Sequence, residues 1–149
     1  MSDVRNRVEV MHGVNLDQLG RRDPLHYGAL TLTELELQIS RTADELGLAT
    51  RFFHSNHEGE FVEHLHGLST LADAVLLNPG AWTHYSYAIR DAVELAGLPA
   101  VEVHLSNIEQ REEFRRISVL DGVCCGRVFG KGPDGYRDAL TIVRGELNG

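Results

Sequence analysis

Arg22 and Tyr27 stand five residues apart in one polar segment of the chain. Tyrosine, with a reference pKa of about 10, is a poor base near neutral pH. A guanidinium within about 4–6 Å favours the phenolate, so a segment that folds Arg22 onto Tyr27 would supply a base. The structural alternative packs Tyr27 against the body of the protein and leaves Arg22 solvated. His104 closes an apolar run, a place that suits a proton donor facing a cleft or a buried ring bonded to backbone. Asn15 and Asn78 can hydrogen-bond a carbonyl or an oxyanion without changing charge. Arg115, Ser106 and the amides of a helix expected after Ser106 offer a site for a carboxylate.

These residues need a scaffold that brings them to one edge. Five near-continuous apolar runs, Val8–Met11, Ala49–Phe53, Ala74–Leu77, Ala100–Val103 and Gly122–Phe129, read as parallel strands buried on both faces. Between them lie helical patterns. Thr31–Leu46 has a Thr31/Glu34 capping box, a Leu32, Leu35, Ile39, Ala43, Leu46 stripe and Gly47 as a stop. Ser55–Glu58 and Ser106–Glu109 repeat the Ser-x-x-Glu start, Ser86–Ala96 ends at Gly97 and Pro99, and a last helix runs from Pro133 to Leu147. Strand–helix alternation five times over predicts a flavodoxin-like, doubly wound α/β sheet of five parallel strands, order 2-1-3-4-5, with helices on both faces. We expect a single domain over 1–149, with 1–6 as a flexible tail.

In such sheets ligands sit beyond the carboxyl ends of the strands. There the sequence places His12-Gly-Val-Asn15, His54-Ser-Asn-His-Glu-Gly59, Asn78-Pro-Gly-Ala-Trp-Thr-His84 and His104-Leu-Ser106-Asn107, followed by Arg111 and Arg115. Turn and cap duties would explain each alone; their convergence points to a site. The long Gly13–Leu30 connection, which carries Arg21, Arg22, His26 and Tyr27, suits a lid.

Composition narrows the function classes. With 22 acidic against 14 basic residues the net charge is −8, and Lys131 is the single lysine. That balance argues against a general nucleic-acid or membrane-surface binder. Adjacent Cys124 and Cys125 rarely bridge, and a polar start without an apolar stretch gives no signal peptide, so a reduced, cytoplasmic protein is expected. Gly130–Gly135 matches G-x-G-x-x-G literally, yet no further βα unit follows it. His54, His57, His64 and His66 lack metal-binding spacing. No P-loop and no G-x-S-x-G elbow occur.

Four motifs in order resemble type II 3-dehydroquinate dehydratase. His12-Gly-Val-Asn15-Leu through Arg22-Asp-Pro24 to Tyr27-Gly28 is similar to that family's N-G-P-N-L…R-E-P-x-x-Y-G. Ser55–Gly59 matches its S-N-H-E-G, Asn78–Ala92 its N-P-G-A-x-T-H-x-S-x-A-x-R-D-A, and Glu102–Arg115 its E-V-H-x-S-N-x-x-x-R-E-x-F-R. The resemblance spans Val8 to Ala139. It implies reversible dehydration of 3-dehydroquinate to 3-dehydroshikimate by a homododecamer built from trimers, with no metal, cofactor or Schiff base. By position it implies Tyr27 as base, Arg22 as the residue that keeps it ionised, Asn15 as enolate stabiliser through an ordered water, and His104 as acid. Asn78, His84, Leu105, Ser106 and Arg115 would bind substrate, and Asp91 would reach a neighbouring subunit's site. The chemistry is proton abstraction beside a ketone followed by loss of water, and the residues supply its base, acid, enolate stabiliser and carboxylate clamp.

The chain departs from the pattern in places. The usual Asn-Gly-Pro-Asn reads His12-Gly-Val-Asn15, and the missing proline is expected to loosen the backbone before Asn15. Ile117 replaces a usual histidine and Val119 a tyrosine, while Cys124-Cys125 and Lys131 lie off the pattern. Two other functions fit the residues: a non-catalytic module for a small cyclic carboxylate, and a flavin or phosphate binder. The Arg22–Tyr27–His104 set argues against the first, and the lack of a Ser/Thr-rich phosphate cradle after strand one against the second.

Overall fold

In the computed structural model, which describes residues 4–148, five strands run parallel in the order β2-β1-β3-β4-β5. They are β1 (Arg7–His12), β2 (Ala49–His54), β3 (Ala74–Asn78), β4 (Ala100–Val103) and β5 (Gly126–Val128). The helices are α1 (Pro24–Tyr27), α2 (Leu32–Glu45), α3 (Glu58–His66), α4 (Tyr87–Ala96) and α5 (Gly135–Asn148). The flavodoxin-like order expected from the sequence is the one found. The tail expected over 1–6 lies partly outside the described residues.

Strand alternation sorts side chains to two cores. Val8, Val10, Leu76, Val101 and Val103 pack under α2 and α5, meeting Leu35, Ile39, Leu140 and Val143. Met11, Val75, Leu77 and Ala100 face α3 and α4, meeting Phe61, Leu65, Ile89 and Val93. Both faces of the inner strands β1, β3 and β4 are covered, while the edge strand β2 is only half-buried, and each fully buried large side chain contributes about 1.5–3 kcal/mol. Acidic residues interrupt β1 and β4 on the α3/α4 face. Glu9 Oε2 accepts a hydrogen bond from His64 Nε2–H at 2.6 Å, with Arg51 at 3.6 Å, and Glu102 lies in the wall of the cleft.

The caps of α2 follow the sequence. Thr31 Oγ1 accepts from Glu34 N while Glu34 returns to Thr31 N, a closed capping box. At the other end Leu48 N–H bonds Ala43 O and Gly47 N–H bonds Asp44 O, with Gly47 at φ 73°. That is a Schellman stop, and it needs a residue without Cβ strain at positive φ. Ser86 caps α4 through Ile89 N as expected.

Four expectations are corrected. Ser55 does not cap α3: His57 holds that position, and Ser55 Oγ accepts from His57 N and donates to Glu60. No α-helix follows Ser106. Short 3-10 turns at Ile108–Gln110 and Glu113–Arg116 stand there, the first capped by Asn107. Phe114 and Ile117 are exposed and only Ile108 of the first turn is buried, so no apolar stripe offsets the cost of helix nucleation. The last strand is confined to Gly126–Val128, because Gly122 at φ 93° and turns onto the Leu120 carbonyl occupy the residues before it. The last helix begins at Gly135, Pro133 lying in a preceding 3-10 turn.

Strand register sets the level of the site. His12 pairs with His54 on one side and Asn78 on the other, so three strands end together and their loops open on one rim.

Candidate active site

On that rim is a cleft of about 570 Å³, open solvent at its mouth included. Of the ten site residues expected from the sequence, nine line it: Asn15, Arg22, Tyr27, Asn78, His84, His104, Leu105, Ser106 and Arg115. Asp91 does not. It sits on the exposed side of α4, away from this chain's own cleft.

The segment Gly13–Leu30 forms one wall and is more ordered than a bare loop. A 3-10 turn at Leu16–Gln18 buries Leu16, and Leu19 joins the α2/α5 core. Asp23 caps the single-turn α1 by accepting from Leu25 N, Pro24 opens that turn, and Gly28 at φ 74° ends it. This turn holds Tyr27. The Arg22 guanidinium carbon lies 3.6 Å from the Tyr27 ring centroid, and Arg111 Nη1 donates to the Tyr27 hydroxyl at 2.6 Å. Tyr27 also packs on the α2/α5 core, as the structural alternative expected, but Arg22 lies over its ring instead of in solvent and its oxygen accepts from Arg111. Arg111 is the cleft residue bonded to Tyr27 that sequence reasoning placed at this edge but left without a role. Its signal lay in the motif that also supplied Arg115.

The opposite wall is built from β4. Glu102 is 1% exposed and His104 5%. His104 Nε2–H donates to Glu102 Oε2 at 2.6 Å, which leaves Nδ1 as the nitrogen able to carry a proton to the cleft. Thr83 Oγ1 donates to the same carboxylate at 2.5 Å and Ser118 at 2.8 Å. Burial alone would raise the Glu102 carboxyl. The bonds from His104, Thr83 and Ser118, together with the His104 charge, outweigh it and hold the group below the usual carboxylate range.

His84 closes this side. Its Nδ1–H donates to the Ile117 carbonyl at 2.8 Å, so neutral His84 presents Nε2 as an acceptor. Burial pushes its pKa down, and the nearby His104 and Arg115 charges push the same way. Arg115 donates to Glu112 at 2.7 Å, and its guanidinium lies over the Phe114 ring. The helix amides expected to assist it after Ser106 are replaced by turn amides, one of which the Asn107 side chain occupies.

The floor is a pair of interlocked loops. Asn78 Oδ1 accepts from Gly80 N, which leaves its Nδ2 to donate. A Cβ on Gly13 would lie 2.4 Å from the Pro79 carbonyl oxygen, and one on Gly80 would lie 2.6 Å from the Val14 carbonyl oxygen, so the two backbones approach as only glycine permits. Gly13 N–H donates to Asn78 O at 2.7 Å. The backbone at Val14, expected to be loose without a proline, is held by this close approach.

A phenol against two cations, a buried histidine–carboxylate pair and an arginine at the rim suit proton transfer to and from a small anionic ligand. Among the described residues no group of three or more His, Cys, Asp or Glu side chains could hold a metal ion.

Known proteins share both the sequence and this frame. The chain is 50% identical over 138 residues to the 3-dehydroquinate dehydratase of Syntrophotalea carbinolica, covering 92% of this chain and 93% of that one. It is 47% identical over 137 residues to the 3-dehydroquinate dehydratase of Bacillus pumilus, with 92% and 93% covered. The crystal structure of type II dehydroquinase from Butyrivibrio crossotus superposes with a TM-score of 0.89 at 37% identity, over 97% of this chain and 99% of that one. The model of the family "Dehydroquinase class II" matches residues 6–144, which take in every strand and every wall of the cleft, and the chain belongs to that family.

Proposed function

We propose that this protein is a type II 3-dehydroquinate dehydratase, converting 3-dehydroquinate to 3-dehydroshikimate and water without metal or cofactor. Ionised Tyr27 takes the proton from the carbon beside the ketone, and Arg22 and Arg111 offset the charge on its oxygen. Electron density moves onto the ketone oxygen, and Asn15 stabilises that enolate through an ordered water. His104, oriented by Glu102, protonates the leaving hydroxyl; the C–O bond breaks, water departs and the conjugated enone forms. Asn78, His84, Leu105 and Ser106 hold the ring substituents, and Arg115 exchanges Glu112 for the substrate carboxylate.

Asp91 fits a different duty. From the exposed face of α4 it would complete the site of a neighbouring copy, consistent with a homododecamer assembled from trimers. The partner is then a small molecule and further copies of this chain, not nucleic acid. No helix among the described residues is long and apolar enough to cross a membrane. We place the enzyme in the cytoplasm, serving aromatic amino-acid biosynthesis or quinate breakdown by the same chemistry.

The observation that carries this reading is the Tyr27 oxygen, bonded by Arg111 with Arg22 against its ring, in one cleft with the Glu102-bound His104. The test is direct. Purified protein given 3-dehydroquinate should produce the rising ultraviolet absorbance of an enone. A thermal shift with 3-dehydroquinate but no enone would instead indicate the carboxylate-binding module.

A further inference from the structure

The S-N-H-E-G segment, Ser55–Gly59, takes no part in the chemistry above, yet it touches the one strained residue of the cleft. Asn15 has φ 70° and ψ 3°, and it is the sole non-glycine residue at positive φ among those described. Such a conformation persists only where the surroundings over-determine it. Here the Asn15 N–H donates to Asn56 Oδ1 at 2.8 Å. The other half of the same carboxamide, Nδ2, donates to Asp17 Oδ2 at 3.2 Å. Asn56 therefore spans both sides of the bend, gripping the chain at Asn15 and again two residues on. Its own loop is fixed by Ser55, which accepts from His57 N and donates to Glu60, and whose N–H reaches the His12 carbonyl at 3.3 Å.

We propose that Asn56 is a positioning residue for the reaction, holding Asn15 in the left-handed conformation that presents its carboxamide to the cleft. The inference rests on the role given to Asn15 above. Gly13 and Gly80 press the segment from the β3 side, and Asn56 holds it from the β2 side. Without the second clamp the strained backbone would relax, and the amide that stabilises the enolate would lose its aim. Substrate binding groups lie on other elements, so the loss should fall on kcat rather than KM.

The experiment is a cycle of variants assayed for enone formation. Asn15→Gly removes the carboxamide while accepting positive φ, and should be slow; a normal kcat there would defeat the Asn15 role itself. Given a slow Asn15→Gly, Asn56→Ala should lower kcat about tenfold with KM within about twofold. In the Asn15→Gly background Asn56→Ala should have no further effect. An unchanged kcat for Asn56→Ala, or an effect that simply multiplies with that of Asn15→Gly, would overturn the proposal. A second route does not depend on Asn56→Ala folding. Asn56→Asp alone sets two carboxylates together and should be slow. Adding Asp17→Asn reverses the donor and acceptor while keeping both hydrogen bonds, and should recover most of the lost kcat. A double variant no faster than Asn56→Asp would equally overturn it.

Discussion

In the mechanism proposed above, the two walls of the cleft solve the same problem, control of one proton, by opposite means. On the β4 side, His104 sits on a buried carboxylate that accepts from Thr83 and Ser118 as well. On the other side, Tyr27 sits on a one-turn helix within a surface segment, between Arg22 and Arg111. The first arrangement is part of the core, so its chemistry and its stability are the same interactions. The second is an attachment to the core, so its chemistry can be removed with little cost to folding. The two walls therefore predict different signatures: variants of the tyrosine wall lose rate, and variants of the histidine wall lose rate and stability together.

Tyr27→Phe is the largest break. It deletes the oxygen and keeps the ring that packs on the core. Turnover should fall about a thousandfold, the middle of the range a general base supplies. Melting temperature and assembly size should stay unchanged in scanning fluorimetry and gel filtration. A variant that keeps its rate would remove Tyr27 from the mechanism.

Arg22→Gln comes next. It takes one of two cations from the phenol ring and leaves Arg111 on the oxygen. The expected loss is about a hundredfold in kcat, with stability within about 0.5 kcal/mol of the parent, as for a surface position. Equal losses of rate and stability here would erase the contrast between the walls.

The histidine wall was the less legible in sequence, and for a physical reason. Strands buried on both faces impose continuous apolar runs, so β1, β3 and β4 could be read closely. The capping box at Thr31/Glu34 and the stop at Gly47 are local rules, and they held. The segment after His104 obeyed no local rule. Its Ser-x-x-Glu start looked like a helix, but what fixes it is long-range: Ser118 reaching Glu102, Val119 N–H on the Thr83 carbonyl, Ile117 O on His84. Arg111 was placed at this edge but given no role for the same reason, since its partner lies 84 positions away. Motif resemblance located nine cleft residues, yet spacing could not show that Ser55 serves its own loop rather than the α3 cap.

Glu102→Gln tests the histidine wall. It removes a buried charge while its hydrogen-bonded partners remain. The expected costs are about 3 kcal/mol in unfolding free energy and about tenfold in kcat. The pH dependence follows from the depressed Glu102 carboxyl. A group whose folded pKa lies below its unfolded value contributes stability above the unfolded value, about 4.5, and loses it as pH falls through the folded one. Denaturant titrations below about pH 4.5 should thus show a shallower acid loss in Glu102→Gln than in the parent.

His84 gives the smallest effect and the finest test of where the wall ends. It is held by a backbone carbonyl rather than by Glu102, and burial lowers its pKa from 6.5. The unfolded chain then binds more protons at this site just below that value. Stability is accordingly complete above about pH 6.5 and falls as pH drops through the lowered folded value. His84→Gln should remove a small part of the parent's loss of melting temperature between about pH 7.5 and about pH 5.5. If the parent instead gains stability over His84→Gln as pH falls, His84 is charged in the fold. It could not then offer Nε2 as an acceptor, and the ring-binding role assigned to it would pass to other residues of the cleft.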